Sequence, residues 1–343
     1  MKTLPLALLA ATALSTPLAA QETLSVVGSW SGLPLHQQYE APFWTETLPA
    51  AVDGLAVELT THNQMNLGVG DVFPLLGQGV YDVAMTVADY AVADAPELEG
   101  LDVPLLATTA DEARAMVDAA RPMVDDIYRD RFNAKVLAIA PYPPQVVFCN
   151  ADIAGLDDLQ GLKVRASGRM TAKLLEALGA EGVNVSFSEV PGALQNGVVD
   201  CAVTGAGSGY SAGWWEVSTH LMPLPLGGWD PVVTAMNLDR WNGLDEGTQA
   251  AMEDAIATEF EDPAWASAQT ALVDDIACLT GNGECPAGEA RDMTLVEASD
   301  ADFERARTIL TSEVLPDWAE RSGDDWAERW NGSVGEVVGV TIE

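Results

Sequence analysis

One segment of this chain, from Asp158 to Thr204, constrains its fold more than any other. It begins DLQGLKVRASG and continues, after five residues, as LLEALGAEGVNVSFSEVPGALQNGVVDCAVT. Short apolar runs alternate with helix-forming stretches, which predicts strand, helix, strand, helix, strand. Arg165 stands at the end of the apolar run around Val164. Ligands of open α/β sheets bind at the carboxyl ends of strands, and a guanidinium pairs in a two-pronged contact with a carboxylate or phosphate. The segment therefore predicts a site for a small anion.

The charge of the chain restricts its partners. The 343 residues contain 52 acidic and 16 basic side chains, a formal net charge of −36. Nucleic acids and anionic lipid surfaces would be repelled over the whole surface, so neither is expected as a partner. The acidity itself is typical of a highly soluble protein or of a salty habitat. Because basic side chains are scarce in this chain, an arginine at the end of a buried strand is stronger evidence for a specific anion site.

The amino terminus predicts export. Residues 1–20 (MKTLPLALLAATALSTPLAA) carry one basic residue, Lys2, then an apolar run and small residues. This is the pattern of a secretory signal peptide cleaved after Ala20. The apolar run is too short to span a bilayer, and no other run approaches about twenty residues, so no direct membrane insertion is expected. We expect a soluble, exported protein; the resemblance described below implies that its compartment is the periplasm.

The four cysteines are compatible with an oxidising compartment. Cys278 and Cys285 bracket the polar loop LTGNGE, which a disulfide would close. Cys149 and Cys201 each lie in a predicted strand, where they either form a cross-strand disulfide or remain buried thiols. The sequence has no CxxC motif and its three histidines lie far apart, so no metal and no cofactor is predicted.

The order of elements predicts an α/β fold with two units. Residues 23–87 read as strand, helix, strand, helix, strand, which predicts a parallel sheet, and a helix over 109–132 follows. A second unit opens at Val146 and contains the segment with Arg165; a helix is expected around residues 214–220. The segment PLPLGGWDP, rich in proline and glycine, interrupts the alternation of strands and helices. A strand VVTAMN and a long amphipathic helix from Glu246 to Cys278 are predicted after it. Two such units joined without a flexible linker predict two lobes with a cleft between them.

Several motifs, in a characteristic order, carry a family resemblance. They are GQGVYDVAMTVADY, DLQGLKVRASG, FSEVPGALQNGVVDCA, WWEVSTHL and NLDRWNGLDEGTQAAM. Over about residues 23–320 the chain resembles the solute receptors of TRAP transporters, of the dicarboxylate-binding type. The resemblance implies a two-lobed periplasmic-binding-protein-like fold with a ligand cleft between the lobes and a long helix spanning both. Lobe I would comprise residues 21–142 and 230–269, and lobe II residues 143–229 and 270–343.

The resemblance also implies a function. Receptors of this family capture an organic acid by hinge closure and deliver it to a permease that consists of a small and a large membrane subunit and is driven by an ion gradient. Arg165 matches the family arginine that holds the ligand carboxylate. Phe187 matches a ring that faces the ligand, and Thr204 a polar position that is often Asn. Gln145 stands where receptors for some sugar acids have a second arginine, which favours a monocarboxylate, although Arg169 leaves a dianion open.

Further candidates come from their positions after predicted strands. Ser167 lies two residues beyond Arg165 and is expected on the same side. Residues after the first three strands and at the crossover predict an aromatic and polar cleft wall: Trp30, Asn63, Gln64, Tyr90 and Trp229. Aromatic walls favour an acid with an apolar or ring-shaped body. Dicarboxylates, sugar acids, aromatic acids, 2-oxo acids and zwitterions such as ectoine all remain open.

Two other functions compete with this interpretation. An exported hydrolase would use Ser208 in GAGSGYSAG, but the strand–turn–helix context of a nucleophile elbow is missing and no histidine supports it. A receptor for an ABC importer or a sensor kinase would share the two-lobed architecture. The sequence favours a binding protein over an enzyme, and the FSEVPGALQNGVVD segment favours a TRAP receptor.

Overall fold

The structure, a computed structural model, describes residues 22–342. The predicted signal peptide lies outside these residues. The strands are β1 (Glu22–Gly28), β2 (Leu55–Thr61), β3 (Val83–Val87), β4 (Ala134–Ala140), β5 (Gln145–Cys149), β6 (Lys163–Ala166), β7 (Glu181–Asn184), β8 (Cys201–Gly205), β9 (His220–Met222), β10 (Val232–Asn237) and β11 (Thr294–Leu295).

The α-helices are α1 (Leu48–Ala51), α2 (Val72–Gly77), α3 (Ala110–Phe132), α4 (Arg169–Ala177), α5 (Val190–Gln195), α6 (Ala206–Ser211), α7 (Leu238–Asn242), α8 (Glu246–Ile256), α9 (Asp262–Thr280), α10 (Asp300–Ile309), α11 (Leu315–Ser322), α12 (Asp324–Trp330) and α13 (Glu336–Val338). Five π-helical segments, most of them continuous with these helices, span His36–Glu40, Phe43–Thr47, Ala257–Glu261, Leu310–Val314 and Asn331–Gly335. Turns of 3₁₀-helix span Val69–Asp71, Ala88–Ala91, Pro96–Leu101, Leu156–Leu159, Phe187–Glu189 and Trp214–Glu216.

Two sheets form the centres of two lobes. The first has the strand order β2-β1-β3-β10-β4, and the second the order β11-β9-β5-β8-β6-β7. Strands β1, β2 and β3 are parallel, as the alternation of strands and helices predicts, and β10 enters antiparallel between β3 and β4. All five residues of β3 are buried, as expected for a strand whose sheet is covered on both faces. The two-lobed α/β fold is therefore confirmed.

Helix α3 shows how the sequence sets the bounds of an element. It begins with a capping box, in which the Thr109 hydroxyl accepts from the Glu112 backbone N–H and the Glu112 carboxylate accepts from the Thr109 N–H. It ends at Asn133, whose φ of 45° is left-handed, a conformation that asparagine tolerates better than most residues. The helix predicted over 109–132 is confirmed. The helix expected around residues 214–220 is wrong, because only the turn Trp214–Glu216 is helical and β9 follows at His220.

The chain passes between the sheets along two crossover segments, residues 141–144 and 223–231. These segments hydrogen-bond to each other: Tyr142 N–H donates to the Trp229 carbonyl (3.0 Å) and Gln145 N–H to the Gly228 carbonyl (3.1 Å). Because these paired segments join the two sheets, they are the place where a hinge between the lobes would lie.

A long helix makes a further connection. Helix α8, the segment Ala257–Glu261 and α9 form one continuous helix. Its first part contacts α1 and β4 of the first lobe, and α9 contacts both α3 of the first lobe and α6 of the second. The predicted lobe-spanning helix is therefore present and extends to Thr280.

The carboxyl-terminal helices touch both lobes. The segment Leu310–Val314 packs on α4, whereas α11 packs on Pro96–Leu101 and the segment Asn331–Gly335 on α3. The described strands of the first sheet lie within residues 21–142 and 230–269, and those of the second within 143–229 and 270–343. The assignment of residues 270–343 to lobe II alone stays a prediction, and these contacts with the first lobe do not favour it.

Both cysteine pairs are joined. Cys149 and Cys201 lie directly opposite each other on antiparallel β5 and β8 and form a disulfide. Cys278 and Cys285 form the second, which closes the loop after α9. Of the two states left open for Cys149 and Cys201, the disulfide is therefore the one present. Within residues 22–342, every helix is too short or too polar to cross a membrane.

Candidate ligand-binding site

Arg165 lies on β6, between β8 and the edge strand β7 of the second sheet, and its guanidinium is held by backbone carbonyls. The side chain is buried, with Arg165 3% exposed. Nε donates to the Val185 carbonyl (3.0 Å) and Nη1 to the Val203 carbonyl (2.7 Å). These two bonds fix the plane of the planar guanidinium group at the carboxyl ends of β7 and β8. They leave the Nη2 group without an acceptor among residues 22–342, so it is available for a ligand.

The surroundings of Arg165 compensate its charge only in part. Burial lowers the pKa of Arg165, and the neighbouring Tyr90 and Asp230 act in the opposite direction. The Cζ atom lies 5.9 Å from the centre of the Trp214 ring. Burial and the Asp230 carboxylate raise the pKa of Tyr90 to about 12, so its phenol stays neutral. A buried cation with such surroundings is stabilised by a bound anion.

A cavity of about 820 Å³ lies between the lobes in front of Arg165. It is lined from the first lobe by residues that follow β1 and β3, and from the second by residues that follow β6 and β7: Trp30, Asp89, Tyr90, Arg165, Ser167 and Phe187. A separate cavity of about 400 Å³, beside Tyr142 and α9, has no positively charged side chain among the described residues that line it. The candidate site for an acid is therefore the cavity with Arg165.

Aromatic rings meet across this cavity. The centre of the Trp30 ring, from the first lobe, lies 5.4 Å from that of Phe187, from the second. Phe187 in turn lies 5.4 Å from Trp214, which is fully buried behind it. The lobes are thus in contact, and the rings of Trp30 and Phe187 give the cavity a flat apolar surface.

Ser167 adds a polar group. It lies in the turn between β6 and α4, and it lines the cavity together with Arg165. Its hydroxyl oxygen is buried without a hydrogen-bond partner among the described residues. A buried hydroxyl in that state lacks about 1–3 kcal/mol of hydrogen bonding, which a ligand oxygen would restore.

Five predicted residues do not line the cavity, and three of them are Trp229, Asn63 and Gln64. Trp229 is buried in the hinge, where its indole N–H donates to the Ala107 carbonyl (3.0 Å). Asn63 joins the loops after β1 and β2, because its amide accepts from the Ser31 N–H and donates to the Ser31 hydroxyl. Gln64 is exposed. The geometry favours packing and loop-bridging for these side chains rather than ligand contact.

Gln145 and Thr204 lie on the neighbouring strands β5 and β8, and neither lines the cavity. Gln145 is fully buried, and both polar atoms of its amide lack hydrogen-bond partners among residues 22–342. Thr204 is 3% exposed and lies opposite Val146. Contact of either side chain with a ligand stays a prediction.

Sequence reasoning missed the acidic groups around the cleft. Asp89 lines the cavity, and Asp230 and Asp102 lie at the hinge, where the Asp102 carboxylate accepts from the Asp230 N–H (2.9 Å). Burial and the neighbouring Asp89 raise the pKa of Asp230 to about 7, while Arg165 opposes this shift. In a chain with 52 acidic residues, a carboxylate carries no signal by itself. The backbone of Asp230 also has a positive φ of 41°, which is uncommon for a residue other than glycine and cannot be read from the sequence.

His62 supports the Trp30 wall from behind. It is fully buried, its ring centre lies 4.5 Å from that of Trp30, and both its nitrogens lack hydrogen-bond partners among the described residues. Burial, with a smaller effect of His36, lowers the pKa of His62 to about 4. His62 is therefore neutral in the folded protein at pH values where an exposed histidine is already protonated.

This difference predicts an acid-sensitive stability. Between pH 6.5 and 4 the unfolded chain binds a proton at His62 that the folded chain does not, so the free energy of unfolding falls as the pH falls, by about 2 kcal/mol at pH 5. We expect His62→Phe, which keeps a ring against Trp30, to lose about 2 kcal/mol less than wild type between pH 7.5 and 5 in urea denaturation. The acidic residues are common to both proteins and cancel in the comparison. Parallel pH profiles would contradict this prediction.

Comparison with known proteins decides the family. The model of the bacterial extracellular solute-binding proteins, family 7 (DctP), matches residues 40–283. The chain belongs to this family. Two curated relatives are each 26% identical: a solute-binding protein of Sulfitobacter sp. (strain NAS-14.1), over 160 residues, and the ectoine-binding periplasmic protein TeaA of Halomonas elongata, over 167 residues. These matches cover 45% and 48% of the chain, and 48% and 47% of the relatives. The chain thus spans about half the length of the curated relatives that it matches.

Solved structures agree with the fold over 91–93% of the chain. A Bordetella pertussis extracytoplasmic solute receptor that binds pyroglutamic acid, DctP7, superimposes with a TM-score of 0.79 at 22% identity, covering 91% of this chain and 99% of that receptor. TeaA of the TeaABC TRAP transporter of Halomonas elongata superimposes with a TM-score of 0.77 at 17% identity, covering 93% and 100%. At such identities the likeness establishes the two-lobed fold.

Proposed function

We propose that this protein is the solute-binding receptor of a TRAP transporter, and that it captures a small organic acid by the carboxylate. The observation that carries the proposal is the buried guanidinium of Arg165 at the interlobe cavity, with Nε and Nη1 held by backbone carbonyls and Nη2 without an acceptor among the described residues. A carboxylate placed there forms charge-assisted hydrogen bonds, which contribute about 1.5–3 kcal/mol each. No nucleophile or acid–base pair is needed for this role.

Capture is coupled to closure of the cleft. Arg165, Ser167 and Phe187 belong to the second lobe, whereas Trp30 and Tyr90 belong to the first. A ligand that touches both sets binds the closed form better than the open form, and this difference in affinity shifts the lobes toward closure. The paired crossover segments and the long helix are the connections that would bend.

The partners follow from the family. Its members are bacterial extracellular solute-binding proteins, and TeaA is both periplasmic and part of a TRAP transporter. We infer that this protein acts in the periplasm, after removal of residues 1–20, and delivers its ligand to a small and a large membrane subunit. Delivery would depend on the closed form, in which surfaces of both lobes are presented together.

The cavity also restricts the ligand. Solved relatives bind pyroglutamic acid, orotic acid, malonate and ectoine, all compact molecules with a carboxylate. In this chain the rings of Trp30 and Phe187 form the wall near Arg165. We infer a compact acid with a flat or apolar body, held by its carboxylate on Arg165 and by its body against these rings.

A thermal-shift screen tests the proposal. The chain without residues 1–20 is melted with each of a panel of small organic acids, including pyroglutamate, orotate, malonate and ectoine. The control for each acid is its carboxamide, in which every carboxylate is replaced, so that the negative charge of the carboxylate is removed. A ligand that binds only the folded state raises the melting temperature. We expect a rise with one class of acid that is lost in its amide. Equal shifts with acid and amide, or none in the whole panel, would refute carboxylate capture.

A further inference from the structure

A carboxyl group of the protein itself crosses the cleft. Asp89 lies on the turn Ala88–Ala91, directly after β3 of the first lobe. Its Oδ2 atom reaches the amino end of α4 in the second lobe, so close that a Cβ added to Gly168 would lie 1.6 Å from it. The backbone N–H of Arg169, the first residue of α4, also acts on this carboxyl and favours its charged form. The missing side chain at Gly168 is what allows this approach.

The position that Asp89 occupies is one that would otherwise attract an anion. Helix α4 begins three residues after the end of β6, the strand that carries Arg165, so both features lie at the same edge of the second sheet. The amino terminus of a helix carries unpaired N–H groups and a partial positive charge, which favour a carboxylate. Gly168, Arg169, Asp89 and Arg165 all line the same cavity. A ligand with two carboxylates would place one on Arg165 and the other at α4.

The charges around Asp89 make a second negative group costly. Burial, Asp102 and Glu99 raise the pKa of Asp89 well above its usual range, and Arg321 opposes them. Arg321 is already engaged by both carboxylate oxygens of Glu99, at 2.6 and 2.7 Å. An additional carboxylate would therefore meet a position that Asp89 already fills, with the acidic groups Asp102 and Glu99 nearby, although Arg169, an exposed cation at the start of α4, also lines the cavity.

We propose that Asp89 determines specificity: it fills the second carboxylate position of the cleft and restricts the ligand to acids with a single carboxylate. This inference rests on the proposed capture of a carboxylate by Arg165 and adds which acids are accepted. Selection by a group of the protein that excludes the wrong ligand is a general means of discrimination.

The experiment compares acids that differ by one carboxylate. Wild type, Asp89→Ser and Asp94→Ser are titrated by calorimetry with three pairs: butyrate and succinate, benzoate and isophthalate, and picolinate and dipicolinate. Asp94 is exposed five residues further along the same loop, so its substitution removes the same charge away from the cavity. Melting temperatures without ligand confirm that each variant is folded. We expect wild type and Asp94→Ser to prefer the monocarboxylate at least tenfold, and Asp89→Ser to gain at least tenfold for the dicarboxylate relative to its partner.

The outcomes separate the two proposals. If wild type binds a dicarboxylate as tightly as its monocarboxylate partner, or if folded Asp89→Ser keeps the wild-type preference, the role of Asp89 is refuted while capture by Arg165 stands. If Asp94→Ser gains as much affinity for the dicarboxylates as Asp89→Ser does, the effect comes from net charge alone, and the specific role of Asp89 is also refuted. If wild type binds none of these acids and none of the screening panel, capture of a carboxylate fails, and the role of Asp89 fails with it.

Discussion

Replacement of Arg165 by alanine is expected to weaken binding of the native ligand at least tenfold, about 1.4 kcal/mol. The guanidinium is the buried cation of the interlobe cavity, and two backbone carbonyls hold it in a single orientation. Alanine removes both the charge and the donors, and it leaves the ligand carboxylate desolvated without a partner. The measurement is calorimetric titration of each variant with the acid that gives the largest thermal shift in wild type.

Two further variants sharpen this test. Arg165→Lys keeps the positive charge but replaces the planar fork by a single ammonium group, which cannot reach both carbonyls and a carboxylate in the same geometry. We expect its affinity to lie between those of wild type and Arg165→Ala. Lys163→Ala removes a positive charge from an exposed position on the same strand and should bind as wild type does. Wild-type affinity in Arg165→Ala would rule out this anchor.

The sequence was sufficient to predict the residues whose place depends on local order. Arg165 lies near the carboxyl end of β6, and Ser167, Phe187, Trp30 and Tyr90 follow the ends of strands. The edge of a parallel sheet brings such positions together whatever the rest of the chain does. The cavity contains all five. The strands and the long helix were predictable because the spacing of their apolar residues along the sequence is typical of each element.

The remaining features depend on contacts between distant segments. Trp229 lies in a crossover segment, as a cleft residue would. In the structure its indole N–H donates to the Ala107 carbonyl and its ring packs near Trp265, so it is held in the hinge. The approach of Asp89 to Gly168 exists only because the two lobes meet. Neither contact leaves a periodic pattern in the sequence, because each depends on how the two lobes are positioned relative to each other. A propensity-based prediction of the helix around residues 214–220 failed for a related reason: pairing with β5 makes residues 220–222 a strand.

The second large effect is on stability, and it concerns the attachment of the carboxyl-terminal helices. Trp318 of α11 is 1% exposed, and its indole N–H donates to the Pro96 carbonyl (3.0 Å). Its ring lies so close to Gly100 that an added Cβ would stand 2.4 Å from Cζ2. Trp330 packs beside it and donates to the Gly100 carbonyl (2.9 Å). This contact fixes the end of the chain to the segment Pro96–Leu101 of the first lobe.

We expect Trp318→Ala to lower the free energy of unfolding by about 3–5 kcal/mol, because it removes a fully buried ring, leaves a cavity and orphans the Pro96 carbonyl. Urea denaturation at pH 7.5 measures this change. The matched control is Trp326→Ala in α12, a partly buried tryptophan that stacks with Arg329, with the guanidinium 4.5 Å from the ring centre; it should cost about 1 kcal/mol. Similar costs for the two variants would mean that the carboxyl-terminal helices are not held by Trp318. Because Pro96 and Glu99 also line the ligand cavity, loosening of this segment should weaken ligand binding as well.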